Sequence, residues 1–315
     1  MDHNLNVSPM LRQKLMLTPG RAAVGIGAAL SLAVAGVAAQ PFRAPSLAAG
    51  SGATRPLKYV SMGSSYAAGP GVGRLDGRSG GCRRSLSNYA HLLAARRNLN
   101  LVDVACSGAT TTDILQRSQD GLRPQIDAVD ADTRLVTVTV GGNDVNYVGN
   151  LLGYSCRHRG GADCKVVSDA KVDQRFQALP GSLRQVVAEV HRRAPKARLV
   201  MIGYLPVLPR SETPGCAAVP LSLADLRRMQ AIYSRLTDVI GGVAQETGTP
   251  VVRSSVIGSS HDACSAHPFV AGFEPPTTPG WPSLVSYHPN QAGMNRLASA
   301  LDETLKVVRN QNNKH

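Results

Sequence analysis

The sequence predicts an α/β protein in which helices cover both faces of a mainly parallel, five-stranded sheet. Three observations predict this class. Short apolar and β-branched runs alternate along the 315 residues with longer segments of helical periodicity, as they do in βαβ units. The runs themselves are typical of buried parallel strands. Turn-forming Gly, Ser and Asn follow directly after several of these runs, which marks where the strands end.

Each strand follows from its local sequence. Residues 57–62 form an apolar run that stops abruptly at Gly63-Ser64-Ser65, as a buried strand does when it enters a tight turn. Residues 134–140 read Arg-Leu-Val-Thr-Val-Thr-Val, which suits a central strand because β-branched side chains pack well in sheets. The other predicted strands are residues 101–105, 198–203 and 250–253.

Helices are predicted between the strands from the spacing of apolar residues. The longest is residues 222–247, whose buried stripe begins with Leu226, Met229 and Ile232. Ser87 is the predicted N-cap of the first helix. The other predicted helices are residues 87–98, 112–129, 173–194 and 290–308, with interruptions at Pro124 and Pro180. Residues 149–168 are predicted to be a loop, and residues 254–287 are too long for a simple connection and are a candidate functional loop.

The start of the chain predicts export. Three basic residues precede an uncharged, small and apolar run at residues 22–39 that ends in a small-residue cleavage motif. We expect residues 1–39 to be a secretory signal peptide, although an uncleaved N-terminal anchor stays open. Residues 40–56 are rich in Ala, Gly, Ser and Pro and are predicted to be a linker. Residues 57–315 are predicted to form one domain, secreted or associated with the cell envelope.

Charge and cysteine content limit the possible partners. The net charge is +13, but the basic residues are scattered singly or in pairs, which favours a solvated surface. Attraction to anionic lipid or cell-wall polymer stays open, and nucleic acid is not expected because no basic stripe contains aromatic residues. Six cysteines in an exported chain predict disulfides. Fifteen pairings are possible, and only Cys156 with Cys164, which close a short polar loop, has local support.

Four residues form a candidate catalytic set. Ser65, Gly108 and Asn143 each follow a predicted strand, and His288 immediately precedes the last predicted helix. Carboxyl ends of parallel strands meet at one edge of a sheet, so we expect these groups to lie close together. Ester hydrolysis needs a nucleophile, a base and donors for the oxyanion. We predict Ser65 as nucleophile, His288 as base, and the Ser65 N–H, Gly108 N–H and Asn143 amide as the oxyanion hole.

This ordered set resembles the SGNH hydrolases, also called the GDSL esterase/lipase family. It is most similar to the secreted actinobacterial branch, which shares the Ser-Tyr-Ala-Ala-Gly-Pro-Gly first block and the His-Pro-Asn ending. The resemblance implies a three-layer αβα sandwich with a flavodoxin-like sheet, and hydrolysis through an acyl-serine without metal or cofactor. It also implies three disulfides paired in sequence order, namely Cys82–Cys106, Cys156–Cys164 and Cys216–Cys264.

The sequence departs from the family pattern at two positions. Ser64 stands where the family usually has Asp, and Val285 stands where it usually has the Asp that orients the His. We therefore expect the backbone carbonyl of Ser286 or Val285 to orient the imidazole of His288. Asp262 is a more distant alternative acid, and it lies between His261 and His267 in a segment with metal-like spacing. A disulfide cysteine flanked by loop histidines explains that segment better.

The sequence as a whole predicts a monomeric, secreted serine ester hydrolase that acts on acyl, lipid-like esters. Two alternatives remain open at this point. One is a carbohydrate deacetylase, because the family also takes acetylated sugars. The other is a non-catalytic cell-envelope binding protein on the same fold, which the two departures at Ser64 and Val285 would permit.

Overall fold

The structure, a computed structural model, describes residues 55–210, 216–275 and 285–312. The predicted signal peptide or anchor and nearly all of the predicted linker lie outside the described residues. The division of the chain into signal peptide, linker and one hydrolase domain therefore stays a prediction. No helix in the described ranges is long and apolar enough to span a membrane.

A five-stranded, entirely parallel sheet forms the centre of the described part of the chain, in the order β2-β1-β3-β4-β5. This confirms the predicted α/β sandwich with its flavodoxin-like strand order. Nearly every consecutive residue of the three middle strands is buried, because helices cover both faces of the sheet. The strands are β1 (Lys58–Gly63), β2 (Asn100–Asp103), β3 (Thr133–Thr139), β4 (Arg198–Ile202) and β5 (Val251–Val252).

The helices fall into two groups around the sheet. In one group α2 packs against α8, and in the other α5 packs against α3 and α6 while α4 packs against α6. The helices are α1 (Ser65–Ala68), α2 (Tyr89–Arg97), α3 (Thr111–Leu115), α4 (Tyr147–His158), α5 (Asp169–Arg193), α6 (Leu223–Glu246), α7 (Ser254–Ile257) and α8 (Gln291–Asn312). Short 3₁₀ segments occupy Gly77–Cys82 and Gln125–Ala128.

Residues 112–129 contain a helix that is interrupted, as predicted, because α3 ends at Leu115 and a 3₁₀ segment follows Pro124. Three other sequence-based predictions of local structure are wrong. The predicted loop at residues 149–168 begins with most of α4. α5 continues through Pro180 without a break. The N-cap of α2 is Asn88 rather than Ser87, since the Asn88 side chain accepts the N–H groups of the first turn.

Candidate active site

Ser65 begins α1 directly after β1, in a turn that requires glycine before it. Gly63 has a φ of +143°, and a Cβ there would lie 2.4 Å from the carbonyl oxygen of Thr139 on β3. The side-chain amide of Gln125 pairs with both backbone groups of Gly63, accepting from its N–H at 2.7 Å and donating to its carbonyl at 3.0 Å. These contacts fix Ser65 at the carboxyl edge of the sheet.

His288 contacts Ser65 directly. Its Nε2 lies 2.7 Å from the Ser65 hydroxyl oxygen, and its Nδ1 lies 2.8 Å from the Ser286 carbonyl oxygen. The carbonyl of Val285 has a different partner, because it accepts the backbone N–H of His288 at 3.1 Å. Of the two carbonyls named from the sequence, Ser286 therefore orients the ring and Val285 does not. A carbonyl can only accept, so Nδ1 carries the proton and Nε2 is free to accept from the serine.

Backbone geometry before His288 aims the ring at Ser65. Tyr287 has a φ of +64°, a left-handed conformation that is uncommon for a bulky residue. The Tyr66 hydroxyl donates to the Tyr287 carbonyl at 2.6 Å. Ala271 pairs with both neighbours, accepting from the Tyr287 N–H at 3.1 Å and donating to the His288 carbonyl at 2.8 Å. These contacts hold Tyr287 in its left-handed conformation.

Burial determines the protonation state of His288. Ser65 and His288 are 7% and 5% exposed, so the pair is largely shielded from solvent. Burial lowers the pKa of His288 to about 4, and the hydrogen bond to the Ser286 carbonyl acts in the opposite direction. The imidazole is neutral at pH 7, as a general base must be before it takes a proton.

The two predicted oxyanion residues lie on loops that follow β2 and β3. Gly108 has a φ of +84°, and its N–H donates to no other described residue. The Asn143 Nδ2 donates to the Ala109 carbonyl at 3.0 Å, which orients the amide and leaves its second hydrogen for another acceptor. The next residue, Asp144, accepts from the Thr111 N–H at 3.0 and 3.2 Å and so joins the two loops.

The loop that carries Gly108 is also tied to the turn of Ser65. The Cys106 N–H donates to the Gly63 carbonyl at 2.9 Å. Ser107 donates its N–H and its hydroxyl to the Cys82 carbonyl at 3.1 and 2.9 Å, and the Gln119 side chain donates to the Ser107 carbonyl at 2.7 Å. The backbone around Gly108 is thus held from three directions.

Ser64 contacts a tyrosine hydroxyl. It is buried, and its hydroxyl oxygen lies 3.4 Å from the hydroxyl oxygen of Tyr204. The Tyr204 hydroxyl also accepts the Gly142 N–H at 2.9 Å, immediately before Asn143. Sequence reasoning missed Tyr204, although it follows soon after β4 and its place at the carboxyl edge of the sheet could have been inferred. Tyr66 was likewise missed, and its position next to Ser65 was the available signal.

The alternative acid and the histidine pair have other partners. The Asp262 carboxylate accepts the Cys264 N–H at 2.8 Å. The His261 Nδ1 lies 2.7 Å from the His267 carbonyl oxygen, so that ring contacts backbone. Both nitrogens of His288 are occupied by a carbonyl and a hydroxyl, which leaves no direct role for Asp262 in orienting it.

All six cysteines lie in the described residues and form three disulfides, as in many exported proteins. The sulfurs of Cys82 and Cys106 lie within 4.8 Å of the Asp120 carboxylate. They are joined to each other, so they are not thiolate ligands for a metal. The three pairs follow sequence order and are Cys82–Cys106, Cys156–Cys164 and Cys216–Cys264.

The chain is similar to known proteins over most of its length. Residues 61–296 match the model of the GDSL-like lipase/acylhydrolase family. The chain is 35% identical over 264 residues to Lipase 2 of Streptomyces coelicolor, covering 81% of this chain and 87% of that protein. It is 30% identical over 285 residues to a lipase of Streptomyces rimosus, covering 90% and 92%.

Two solved structures are also similar to this chain. The crystal structure of phospholipase A1 from Streptomyces albidoflavus superposes with a TM-score of 0.63 at 27% identity, covering 79% of this chain and 99% of that one. The crystal structure of the extracellular lipase from Streptomyces rimosus superposes with a TM-score of 0.62 at 28% identity, with the same coverage.

Proposed function

Because this chain belongs to the GDSL-like lipase/acylhydrolase family and is a carboxylic ester hydrolase, we propose that Ser65 and His288 form its catalytic dyad. The observation that supports this most directly is the hydrogen bond of 2.7 Å between the Ser65 hydroxyl and His288 Nε2. That distance lies within the reach required of a nucleophile and its base. The Ser286 carbonyl replaces the carboxylate that usually orients such a histidine.

The first half of the reaction forms an acyl-enzyme. The Ser65 oxygen attacks the ester carbonyl carbon while its proton moves to His288 Nε2. Negative charge develops on the carbonyl oxygen, where the Ser65 N–H, the Gly108 N–H and the free hydrogen of Asn143 Nδ2 receive it. His288 then gives its proton to the departing alkoxide, which leaves as an alcohol. The acyl group remains on the Ser65 oxygen.

The second half returns the free enzyme. His288 Nε2 takes a proton from water, whose oxygen attacks the acyl carbon at the same oxyanion hole. The bond to Ser65 breaks, the serine regains its proton from His288, and the carboxylic acid leaves. In both halves the imidazolium is stabilised by a carbonyl dipole and not by a full negative charge, so the oxyanion donors supply a larger share of the rate enhancement.

We propose acyl esters of lipid type as the substrates. The names of the similar Streptomyces proteins, two lipases and a phospholipase A1, support this class. Secretion is supported by the three disulfides and by the likeness to the Streptomyces rimosus lipase, which is extracellular. The monomeric state and contact with anionic lipid or cell wall stay predictions.

Hydrolysis of p-nitrophenyl esters by three forms of the protein tests the assignment of the nucleophile. We expect Ser65→Ala to abolish turnover and Ser64→Ala, the buried neighbour, to keep most of it. Equal turnover by wild type and Ser65→Ala would refute the dyad, and loss of turnover in Ser64→Ala alone would show that Ser64 is the nucleophile.

A series of acyl chain lengths tests the substrate class separately. A lipid-ester hydrolase should show a kcat/KM that rises from acetyl to longer acyl groups. A carbohydrate deacetylase should prefer acetyl and should release acetate from acetylated sugars. The second result would refute the lipid assignment and leave the dyad unaffected.

A further inference from the structure

A cleft of about 300 Å³ lies next to Asn143, one of the proposed oxyanion residues. One wall is formed by Thr110, Thr111 and Thr112 at the start of α3, and the other by Arg175 and Ser182 on α5. We call it the Arg175 cleft. Hydroxyl groups and a guanidinium dominate this lining, so the cleft suits a polar group better than a hydrocarbon chain.

Arg175 differs from the other arginines of α5. Arg184 pairs with Glu246 at 2.7 Å, and Arg192 and Arg193 both pair with Glu189 at 2.6 and 2.7 Å. Among the described residues, the Arg175 guanidinium forms no ion pair or hydrogen bond. It is half-buried and lines the cleft. A half-buried guanidinium that lacks a partner is a strong binding group for a phosphate or carboxylate, because its donors match the oxygens of those anions in pairs.

The carboxylate in the lining is already engaged. Asp144 accepts the Thr111 N–H at 3.0 and 3.2 Å and the Thr111 hydroxyl at 2.5 Å. Burial raises the pKa of Asp144, and the hydrogen bonds from Thr111 act in the opposite direction. The net charge of +13 also favours the approach of an anionic substrate.

We infer that the Arg175 cleft binds an anionic group of the phosphate type that the ester substrate carries on its alcohol side. The inference rests on the proposed function, because it places the alcohol portion beside Asn143 while the acyl carbon is at Ser65. Arg175 is then a specificity residue. It acts on esters that carry the anion and has no part in breaking the ester bond.

Two esters with the same acyl chain test this inference. Monohexanoyl-glycerol phosphate carries the anion, and monohexanoyl-glycerol lacks it. We expect Arg175→Gln to lower kcat/KM for the phosphate ester by about 10- to 100-fold, the usual effect of losing hydrogen bonds to a charged group. The uncharged ester should change less than about threefold. Arg175→Lys should restore part of the preference, and Arg184→Gln on the same helix should leave both rates near those of wild type.

The outcomes separate this inference from the proposed function. Turnover of both esters by Ser65→Ala would refute the dyad. If Ser65→Ala is inactive and Arg175→Gln changes kcat/KM equally for both esters, the subsite alone is overturned and the dyad is unaffected. Inorganic phosphate, added to the same hydrolysis assay, distinguishes binding of a free anion from binding of an anion carried by the substrate. If inorganic phosphate changes the rate only when Arg175 is present, and the enzyme does not prefer the phosphate ester, the subsite is also overturned.

Discussion

The proposed catalytic site has two sides that are held in place by different interactions. The base side, residues 285–289 with Tyr66, is held by backbone carbonyls and a phenol hydroxyl. The oxyanion side, residues 106–109 and 141–144, is held by the Asp144 carboxylate, by the Cys82–Cys106 disulfide and by side-chain hydrogen bonds. A carboxylate, a disulfide and a side-chain amide therefore secure the donors of the site, while only dipoles contact its base.

This difference indicates how the proposed dyad can function without the usual third catalytic residue. A carboxylate next to His288 would stabilise the imidazolium and raise its pKa, whereas burial beside a carbonyl keeps the ring neutral. His288 is well oriented, but only a carbonyl dipole stabilises the imidazolium that forms when it takes a proton. The oxyanion side must then be rigid, since preorganised donors contribute most when they need not move during the reaction.

The base side should show the largest loss on mutation. His288→Ala removes the proton acceptor, and we expect kcat for p-nitrophenyl acetate to fall on the order of 10⁴- to 10⁶-fold, as when members of serine triads are removed. The circular dichroism spectrum should match that of wild type. A loss of less than about 100-fold would show that another group takes the proton.

The oxyanion side should show the next largest effect. Asn143→Ala should lower kcat by about 10²- to 10³-fold with a small change in KM, because the amide acts in the transition state. Asp144→Asn is the matched control, since Asp144 accepts the backbone N–H and the hydroxyl of Thr111 and has no proposed part in the oxyanion hole. Its kcat should fall by less than about tenfold. Equal losses in the two variants would mean that Asn143 too has only a structural role.

A substitution with a smaller expected effect tests whether Tyr66 orients His288 or only stabilises the fold. Tyr66→Phe removes the hydrogen bond of 2.6 Å to the Tyr287 carbonyl and should lower kcat about tenfold, because Tyr287 then holds His288 less firmly. Tyr59→Phe is a suitable control, since its hydroxyl contacts Thr137 at 2.8 Å within the sheet. Both variants should lower Tm, and only Tyr66→Phe should lower kcat. A similar kcat in both would contradict a positioning role for Tyr66.

The pH dependence should show the smallest effect, with activity and stability both falling as pH falls but over different pH ranges. The neutral imidazole is active, so kcat/KM should fall only as pH approaches about 4, the pKa of His288 in the folded protein. The unfolded chain has the ordinary histidine pKa of about 6.5. As pH falls, the unfolded chain therefore binds a proton on this histidine at a higher pH than the folded protein does. The stability that neutral His288 contributes is fully present above a pH of about 6.5 and is lost as pH falls to about 4.

Measurements of kcat/KM and Tm from pH 3 to pH 8 check this prediction. In His288→Gln, the part of the pH dependence of Tm that arises from His288 should be absent. An acidic limb of kcat/KM centred near pH 6.5 would contradict the account, because it would mean that a full charge supports the ring or that solvent reaches it.

The sheet and the approximate site were accessible from the sequence for a physical reason. Buried parallel strands are continuous apolar runs, and their carboxyl ends share one edge, so Ser65 and Asn143 could be placed from these patterns alone. α4 could not be found in this way. Gly153 weakens its helical signal, yet a Cβ there would lie 2.1 Å from the Lys165 carbonyl oxygen. Glycine is present because a loop crosses the helix closely, which depends on tertiary packing.

The choice between the two carbonyls was equally beyond the sequence. The Ser286 carbonyl faces the ring because Tyr287 adopts a left-handed conformation, and nothing in the sequence demands that conformation of a tyrosine. It is held by Tyr66 and Ala271, which are 221 and 16 positions away (287 − 66 and 287 − 271). Long-range contacts of this kind have no local signature in a sequence. Arg175 lacked a signal for the same reason, since only the fold shows that it has no acidic partner among the described residues.

Covalent labelling tests the central claim most directly. A fluorophosphonate reacts fastest with a serine whose proton is accepted by a nearby base. We predict that peptide mass spectrometry will find one label per molecule on Ser65 in wild type, and that labelling of His288→Gln will be slower by several orders of magnitude. A label on Ser64, or labelling at the same rate in both proteins, would contradict a dyad of Ser65 and His288.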